Sequence, residues 1–277
     1  MPTAIPAVHR RIRRRPRAHT AAWRSDPFRD SEAAACAPAK QRGEVLLFAD
    51  TFNRHFEPEN LRAALRVLTA AGYRVRIPEY RGRPMCCGRT YLAAGMVDKA
   101  RNEARRTPEI IGGGDTPMIG IEPSCLLTLR DEFRALLPGA AADAMAGRAV
   151  LLSEFLAREK PELSLRPLAI TAHIHGHCHQ KAFGAFPAAV DMLRRVPELA
   201  VKPIGSSCCG MAGAFGYQAE TQEVSRAMAE AGLLPAVRNA SEDDIIVADG
   251  TSCRHQIRDL AGREAIHSVR VLERVLA

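Results

Sequence analysis

The sequence has no long hydrophobic run. No stretch of about eighteen apolar residues occurs in its 277 residues, so we expect no membrane-spanning helix. The first 30 residues contain no apolar segment typical of a secretory signal, so we expect no export. Eight cysteines without a signal favour a reducing compartment, where cysteine clusters bind metals more often than they form disulfides. We therefore expect a cytoplasmic protein.

Several catalytic patterns are also missing. No Ser/His/Asp set and no carboxylate pair stands out. The run Gly112–Gly114 precedes a predicted strand, whereas a phosphate-binding loop follows one, so we interpret it as a loop tip. These absences leave the cysteines as the main source of chemistry.

The positive charge is concentrated at one end. The net charge is +8, and residues 1–42 contain ten Arg or Lys residues against three acidic ones, six of the ten between Arg10 and Arg17. The rest of the chain contains 29 basic and 28 acidic residues, so we expect no nucleic-acid partner. We interpret residues 1–42 as a disordered arm or linker. Three other roles of this segment remain open: contact with an acidic partner, contact with an anionic membrane, or targeting to an organelle.

One cysteine pattern occurs twice. The triplets Cys86–Gly88 and Cys208–Gly210 both read Cys-Cys-Gly, start 122 residues apart, and are followed by Cys125 and Cys253 respectively. Adjacent cysteines fit the geometry of an ordinary disulfide poorly, but they can place two thiolates on one metal cluster. Cys36 lies outside this pattern and is interpreted as incidental.

Strand and helix patterns alternate along the chain. Glu44–Asp50 is a short apolar run typical of a strand buried on both faces, and an amphipathic helix follows from Pro58. The second half repeats this order, beginning with a strand at Leu168–Ile174. The alternation predicts an α/β fold made of two duplicated parallel-sheet domains.

We place the first domain at residues 43–145 and the second at 146–277. The seam would lie in the alanine- and glycine-rich stretch Gly139–Gly147. The cysteines follow predicted strands, in the loops that enter helices. Because such loops meet at the carboxyl edge of a parallel sheet, we expect distant cysteines to converge there.

The second half offers four cysteines: Cys178, Cys208, Cys209 and Cys253. Four thiolates are the usual complement of an iron–sulfur cluster or a structural zinc. Zinc sites favour Cys-x-x-Cys pairs, of which the chain has none, whereas an adjacent pair suits a polynuclear cluster. The pattern therefore favours iron–sulfur, with zinc or redox-active thiols as alternatives.

The first half offers three: Cys86, Cys87 and Cys125. When Phe56 is aligned with Phe183, Thr51 occupies the position of Cys178. The first site could hold a cluster with a ligand other than cysteine, or serve as a scaffold or degenerate copy.

Histidines 173, 175, 177 and 179 surround Cys178. Imidazole is a common metal ligand, but hydrogen bonding near the cluster is the favoured interpretation, most of all for His173 and His175.

The duplicated cysteine pattern resembles the cysteine-rich (CCG) domain family, found in a subunit of heterodisulfide reductase and in iron–sulfur subunits of glycolate oxidase, anaerobic glycerol-3-phosphate dehydrogenase and lactate-utilisation complexes. Phe48–Glu59, His175–Ala182 and Gly250–Gln256 are similar to the carboxyl-terminal iron–sulfur part of FAD-linked oxidases of the D-lactate dehydrogenase or glycolate oxidase type. The resemblance covers about residues 44–277.

The chain departs from that family in three ways. The family motif ends in Cys-x-x-Cys, and here Glu122 and Gly250 occupy the first of those positions. The ferredoxin-type motifs that usually precede the pair are missing, as is a flavin-binding domain.

The resemblance implies an electron-transfer module with an iron–sulfur cluster of the 4Fe-4S type, and FAD only on a partner. It implies a flavin dehydrogenase and a ferredoxin-type subunit or domain as partners, with a quinone at the inner face of the membrane as a further link. Two alternatives are a thiol/disulfide oxidoreductase similar to heterodisulfide reductase and a zinc-stabilised interaction module without redox chemistry.

Overall fold

Two four-stranded sheets form the framework of the computed structural model, which describes residues 22–277. Every pair of neighbouring strands is parallel. The strands are β1 (Gly43–Leu47), β2 (Tyr73–Arg76), β3 (Met118–Gly120), β4 (Ala149–Leu151), β5 (Thr171–His175), β6 (Ala200–Pro203), β7 (Ile245–Ala248) and β8 (Ala265–Ile266). The sheet orders are β2-β1-β3-β4 and β6-β5-β7-β8.

Helices connect and cover these strands. They are α1 (Asp30–Ala34), α2 (Thr51–His55), α3 (Pro58–Ala70), α4 (Arg89–Ala93), α5 (Val97–Ile111), α6 (Pro123–Arg130), α7 (Glu132–Leu136), α8 (Ala140–Arg148), α9 (Leu152–Glu159), α10 (Cys178–Ala182), α11 (Phe186–Arg194), α12 (Gln222–Glu230), α13 (Leu233–Asn239), α14 (Thr251–Ala261) and α15 (Ser268–Val275). None of the helices in this part of the chain is long and apolar enough to cross a bilayer.

The two halves repeat one topology, which confirms the predicted duplicated α/β fold. In each sheet the first strand of the half lies second in the order, beside the strand that follows it in the sequence. The predicted alignment also holds locally, because Thr51 begins α2 after β1 and Cys178 begins α10 after β5. Each half ends with a short strand and a helix, β4–α9 and β8–α15.

The predicted boundary at residue 145 is corrected by the sheet topology. Strand β4 pairs with β3, so the first sheet extends to Leu151. The alanine- and glycine-rich stretch interpreted as a seam forms helix α8 instead of a linker. A strand of three residues after an alanine-rich stretch has too few side chains to produce a visible period in the sequence.

The predicted arm also needs correction where it is described. Residues 22–42 pack on the first domain: Phe28 is buried in the core, and Arg54 pairs with Asp30 at 2.7 Å. Trp23 contacts the ring of Phe56 with centroids 4.8 Å apart. The basic run Arg10–Arg17 lies outside the described residues.

A shared apolar core lies between the sheets. Alternate residues of β1 separate to opposite faces, with Val45 and Leu47 in this shared core and Leu46 in a second, outer cluster. The shared core also contains residues of β5 and β7 and of α3, α9, α11 and α15. Helix α15 packs on α3, and α9 packs on α11. The last helix of each half therefore covers the first long helix of the other half.

One carboxylate caps a helix in each domain. Oε1 of Glu122 accepts a hydrogen bond from Ser124 N in the first turn of α6, at 3.3 Å. Oε2 accepts one from Thr251 N, the first residue of α14 in the other domain, at 2.9 Å. Gly250, which precedes α14, has no side chain to cap that helix. Glu122 supplies the acceptor across the interface, where the positive end of the helix dipole favours negative charge.

A buried ion pair strengthens the same interface. Arg254 of α14 donates from Nε to Oε1 of Glu57 at 2.8 Å, and Thr251 Oγ1 donates to Oε2 at 2.9 Å. Burial alone would raise the pKa of Glu57, but attraction and hydrogen bonds from Arg254 outweigh it and lower the pKa to about 2. The second domain is therefore held to the first by an ion pair whose carboxylate is fully ionised at neutral pH.

This pair predicts a pH-dependent stability. The ionised Glu57 stabilises the fold fully above its ordinary pKa of 4.5, and that contribution disappears as the pH falls towards about 2. In metal-free protein, Glu57→Gln should lower the free energy of unfolding by roughly 3 kcal/mol near neutral pH. The difference in the free energy of unfolding between the variant and the wild type, measured by urea unfolding, should vanish at acid pH.

The exposed pair Arg238–Glu230 provides the control. Glu230→Gln should change stability little at any pH, because surface ion pairs are screened by solvent. A Glu57→Gln deficit that stays constant down to about pH 2 would show that the ionised pair is not its source.

Candidate metal centre

The four cysteines of the second half meet at the carboxyl edge of their sheet. Cys178 is the first residue of α10, after β5, and Cys253 is the third residue of α14, after β7. Cys208 and Cys209 lie in the loop after β6. Contacts between their side chains run in a row, from Cys178 to Cys208, Cys209 and Cys253. Residues 75 positions apart are thus placed on one site by the parallel topology.

The pKa values of the four thiols are alternately raised and lowered along this row in the metal-free state. Hydrogen bonds from Cys178 and Cys209 lower the pKa of Cys208, and the hydrogen bond from Cys209, aided by His175, lowers that of Cys253. The pKa values of Cys178 and Cys209 are raised, first by these same hydrogen bonds and then by burial. The pKa shifts therefore alternate in direction along the row, and a metal would displace the protons that remain.

The inner end of the row includes a histidine. A ring nitrogen of His175 and the sulfurs of Cys209 and Cys253 all lie within 4.8 Å of one another. All three residues are at least 95% buried. Nδ1 of His175 lies 2.7 Å from Ser206 Oγ. Its Nε2 is buried and makes no hydrogen bond to any residue in the range 22–277. A donor set of sulfur and nitrogen with an unpaired buried nitrogen fits a metal centre.

Solvent reaches only the outer end of the row. Cys178 is exposed and Cys208 is half-buried, whereas Cys209 and Cys253 are 4% and 1% exposed. Phe183, at the end of α10, is also exposed. A metal centre held by these residues would be shielded on its inner side and accessible beside Cys178.

Positive groups offset the thiolate charge. Lys181 donates from Nζ to the carbonyl oxygens of Ser206 and Ser207, at 3.1 Å for the latter. Its ammonium therefore lies over the loop that carries Cys208. Burial lowers the pKa of Lys181, while the nearby thiols act in the opposite direction.

The other histidines have separate roles. Nε2 of His173 lies 2.9 Å from Asp244 Oδ2, and Nδ1 of His177 accepts from His179 N at 3.2 Å, which caps α10. The pKa of His179 is lowered to about 4 by burial and by the charge of Arg89 in the first domain. The hydrogen-bonding interpretation agrees with the contacts of His173 and His177.

Gly250 explains one departure from the family motif. A Cβ on Gly250 would lie 2.4 Å from Cδ2 of His177. The imidazole therefore fills the space that a cysteine side chain at this position would need.

Gly210 is required by packing as well as by backbone conformation. Its φ is +83°, and an added Cβ would lie 2.1 Å from the carbonyl oxygen of Ser225 on α12. Its N–H donates to the sulfur of Cys208 at 3.3 Å, as that of Gly88 donates to Cys86 at 3.5 Å. The glycine thus lets the cysteine loop lie against a helix.

The first-half cysteines also converge, but in a different environment. Cys87 contacts Cys86 and Cys125. The pKa of Cys86 is raised first by its hydrogen bond with Cys87 and then by burial. The pKa of Cys87 is raised first by its hydrogen bond with Cys125 and also by burial, which together outweigh the opposite effect of Cys86. The hydrogen bond with Cys87 lowers the pKa of Cys125, yet burial and the carboxylates of Asp50 and Glu122 raise it to about 11. The pKa values of all three thiols therefore lie above the ordinary value in the metal-free protein.

Sequence comparison places these sites among known proteins. The model for the cysteine-rich domain, CCG, matches residues 48–130 and 172–258, together more than half of the chain. The chain is 28% identical over 254 residues to a subunit of the anaerobic glycerol-3-phosphate dehydrogenase of Escherichia coli K12, covering 88% of this chain and 62% of that protein.

Two further relatives differ from the first in name and in the share of their length that this chain covers. Identity is 27% over 241 residues with D-2-hydroxyglutarate dehydrogenase of Pseudomonas putida, covering 85% of this chain and 23% of that protein. It is 23% over 218 residues with a subunit of the fumarate reductase (CoM/CoB) of Methanothermobacter marburgensis, covering 78% and 42%. The chain thus spans less than two thirds of each of these three proteins.

The packing at Gly210 gives a paired test. Gly210→Ala should destabilise metal-free protein by roughly 1–3 kcal/mol through overpacking, in addition to about 1 kcal/mol for the left-handed backbone. Gly184, with φ +65° and nothing within 4 Å of an added Cβ, is the matched control and should lose only the backbone contribution. If urea unfolding shows that the two alanine variants lose the same free energy of unfolding, the packing role of Gly210 is contradicted.

Proposed function

Because the chain belongs to the cysteine-rich (CCG) domain family, we propose that it is the iron–sulfur electron-transfer module of a flavin-linked 2-hydroxyacid dehydrogenase system of the lactate or glycolate type. The observation that carries this proposal is the row of four cysteines in one partly buried site. The relatives named as dehydrogenases or dehydrogenase subunits support it.

The shape of the row favours a cluster over a single zinc ion. Donor atoms around one zinc ion lie within about 4 Å of one another. Here Cys178 and Cys208 lie outside the compact group of three donors found among residues 22–277. The adjacent cysteines also face different neighbours, Cys208 towards Cys178 and Cys209 towards Cys253. Thiols spread in this way suit several metal ions, and we propose a 4Fe-4S cluster.

Each part of the site has a role in this proposal. Cys178, Cys208, Cys209 and Cys253 would hold the cluster, which supplies one-electron oxidation and reduction when bound. The buried inner end excludes water, and the charge of Lys181 offsets that of the thiolates. The exposed end at Cys178 is where a partner would approach closely enough to exchange electrons.

The organic oxidation would take place on a partner that carries FAD. A ferredoxin-type iron–sulfur subunit or domain would connect that flavin to this module, and a quinone at the membrane surface would accept the electrons. The first-half site, with Cys86, Cys87 and Cys125, would serve as a scaffold. It has three cysteines where the second half has four, and Glu122 beside it caps the helix that carries Cys253.

Cluster content tests the ligand assignment. Protein purified without oxygen should be brown, contain iron and sulfide, and absorb broadly at about 400 nm. Cys209→Ser and Cys208→Ser should lose that absorbance, because each removes a thiolate from the row. Cys36→Ser is the matched control and should keep it, since Cys36 packs on the shared core away from both sites. Loss of the cluster in Cys36→Ser would contradict the assignment.

The same preparation separates the alternatives. Colourless protein with stoichiometric zinc would favour a zinc-stabilised interaction module and overturn the proposal. Turnover of a disulfide substrate, without reduction by a flavin dehydrogenase, would favour a thiol/disulfide oxidoreductase. Reduction of the cluster by a flavin dehydrogenase and its hydroxyacid is the expected result.

A further inference from the structure

We propose that His175 is a direct ligand of the metal centre, through Nε2, at the buried end beside Cys209 and Cys253. The inference rests on the proposed function, since it assumes that this site holds an iron–sulfur centre. It adds a nitrogen ligand to a family motif whose ligands are all cysteines.

The position of the ring supports ligation. His175 is the last residue of β5 and is 1% exposed. A ring nitrogen and the two sulfurs lie within 4.8 Å of one another. Donors bound to one metal ion lie about 4 Å apart, so a small movement would bring all three onto the same ion.

The two ring nitrogens have different surroundings. Nδ1 lies 2.7 Å from Ser206 Oγ, whereas the buried Nε2 is without a hydrogen bond to the described residues. An unpaired polar atom at this depth costs roughly 1–3 kcal/mol. Metal-binding histidines typically donate one N–H to a neighbouring oxygen and direct the other nitrogen at the metal. Ser206 is therefore a positioning residue, whose hydroxyl oxygen can accept the Nδ1–H of the tautomer that has its lone pair on Nε2.

The neighbouring histidine on the same strand is arranged differently. Nε2 of His173 is occupied by Asp244 Oδ2 at 2.9 Å. His173 lies two residues before the end of the strand that leads to Cys178 and has no place in the three-donor group. Strand β5 thus carries one histidine with a paired Nε2 and one whose Nε2 is left for a ligand.

The first domain provides an internal comparison. In the alignment that places Thr51 opposite Cys178, Phe48 stands opposite His175. Phe48 is 1% exposed and packs in one apolar cluster with Cys87 and Cys125. The half that lacks the leading cysteine therefore also lacks the imidazole. That joint loss is expected if both side chains bind the same centre.

A nitrogen ligand would also limit the charge of the site. A neutral imidazole adds a donor to a buried centre without the negative charge that a further thiolate would bring. Histidine ligation raises the reduction potential of iron–sulfur centres for this reason. His175→Cys should therefore retain iron and shift the reduction potential to a lower value.

The test uses the full chain purified without oxygen, with histidine labelled by nitrogen-15. Pulsed electron paramagnetic resonance of the paramagnetic state should detect strong coupling to a histidine nitrogen in the wild type and in the control His173→Ala. His175→Ala should lose that coupling and release iron to a chelator more than about tenfold faster. Ser206→Ala should keep the coupling while releasing iron about tenfold faster.

The outcomes distinguish the two proposals. Wild-type protein with iron and sulfide but no strong histidine coupling would overturn the role of His175 and leave the proposed function standing. Unchanged coupling in His175→Ala would also overturn it. Wild-type protein without iron or sulfide would overturn the proposed function, and the ligand assignment with it. Urea unfolding of the metal-free variants separates ligand loss from a failure to fold.

Discussion

The carboxylate of Glu122 joins the two domains beside the candidate metal site. It caps α6 in its own domain and α14 in the other, and α14 carries Cys253. Arg254, one residue further along α14, is held by Glu57 of the first domain. The helix that presents an inner cysteine is therefore positioned by two acidic side chains from the opposite half. Even if it holds no metal, the first domain is required for the geometry of the second.

This arrangement explains why the two cysteine sites differ in the residues around them. In the first half a glutamate stands at position 122, and in the second half Gly250 stands at the equivalent place. Gly250 leaves room for the ring of His177, while Glu122 provides the cap that Gly250 lacks. The same carboxylate raises the pKa of Cys125, together with burial and Asp50. One substitution thus supports the second site and at the same time makes thiolate formation less favourable in the first.

The sequence predicted the parts of this structure that depend on local pattern. Short apolar runs identified the buried strands, and the rule for parallel sheets placed Cys178, Cys209 and Cys253 at one edge. Strands β4 and β8 escaped detection because β4 directly follows an alanine-rich stretch that forms a helix and β8 has only two residues. The pairing of Glu57 with Arg254, 197 positions apart, depends on how the halves pack and leaves no local signal. His175 stood in a motif that the sequence singled out, but only the structure distinguishes a paired nitrogen from an unpaired one.

The thiol row connects folding to metal binding. Without a metal, the pKa values of Cys208 and Cys253 are lowered and those of Cys178 and Cys209 are raised, so the site avoids four adjacent thiolates. Metal binding would replace the remaining protons with a cation, and we expect the apparent affinity to increase with pH. A neutral imidazole at the buried end would limit the charge that must be buried, while the exposed cysteine keeps one end of the site open to a partner. Under the proposed function, the same gradient of burial that protects the inner donors would also determine where electrons enter and leave.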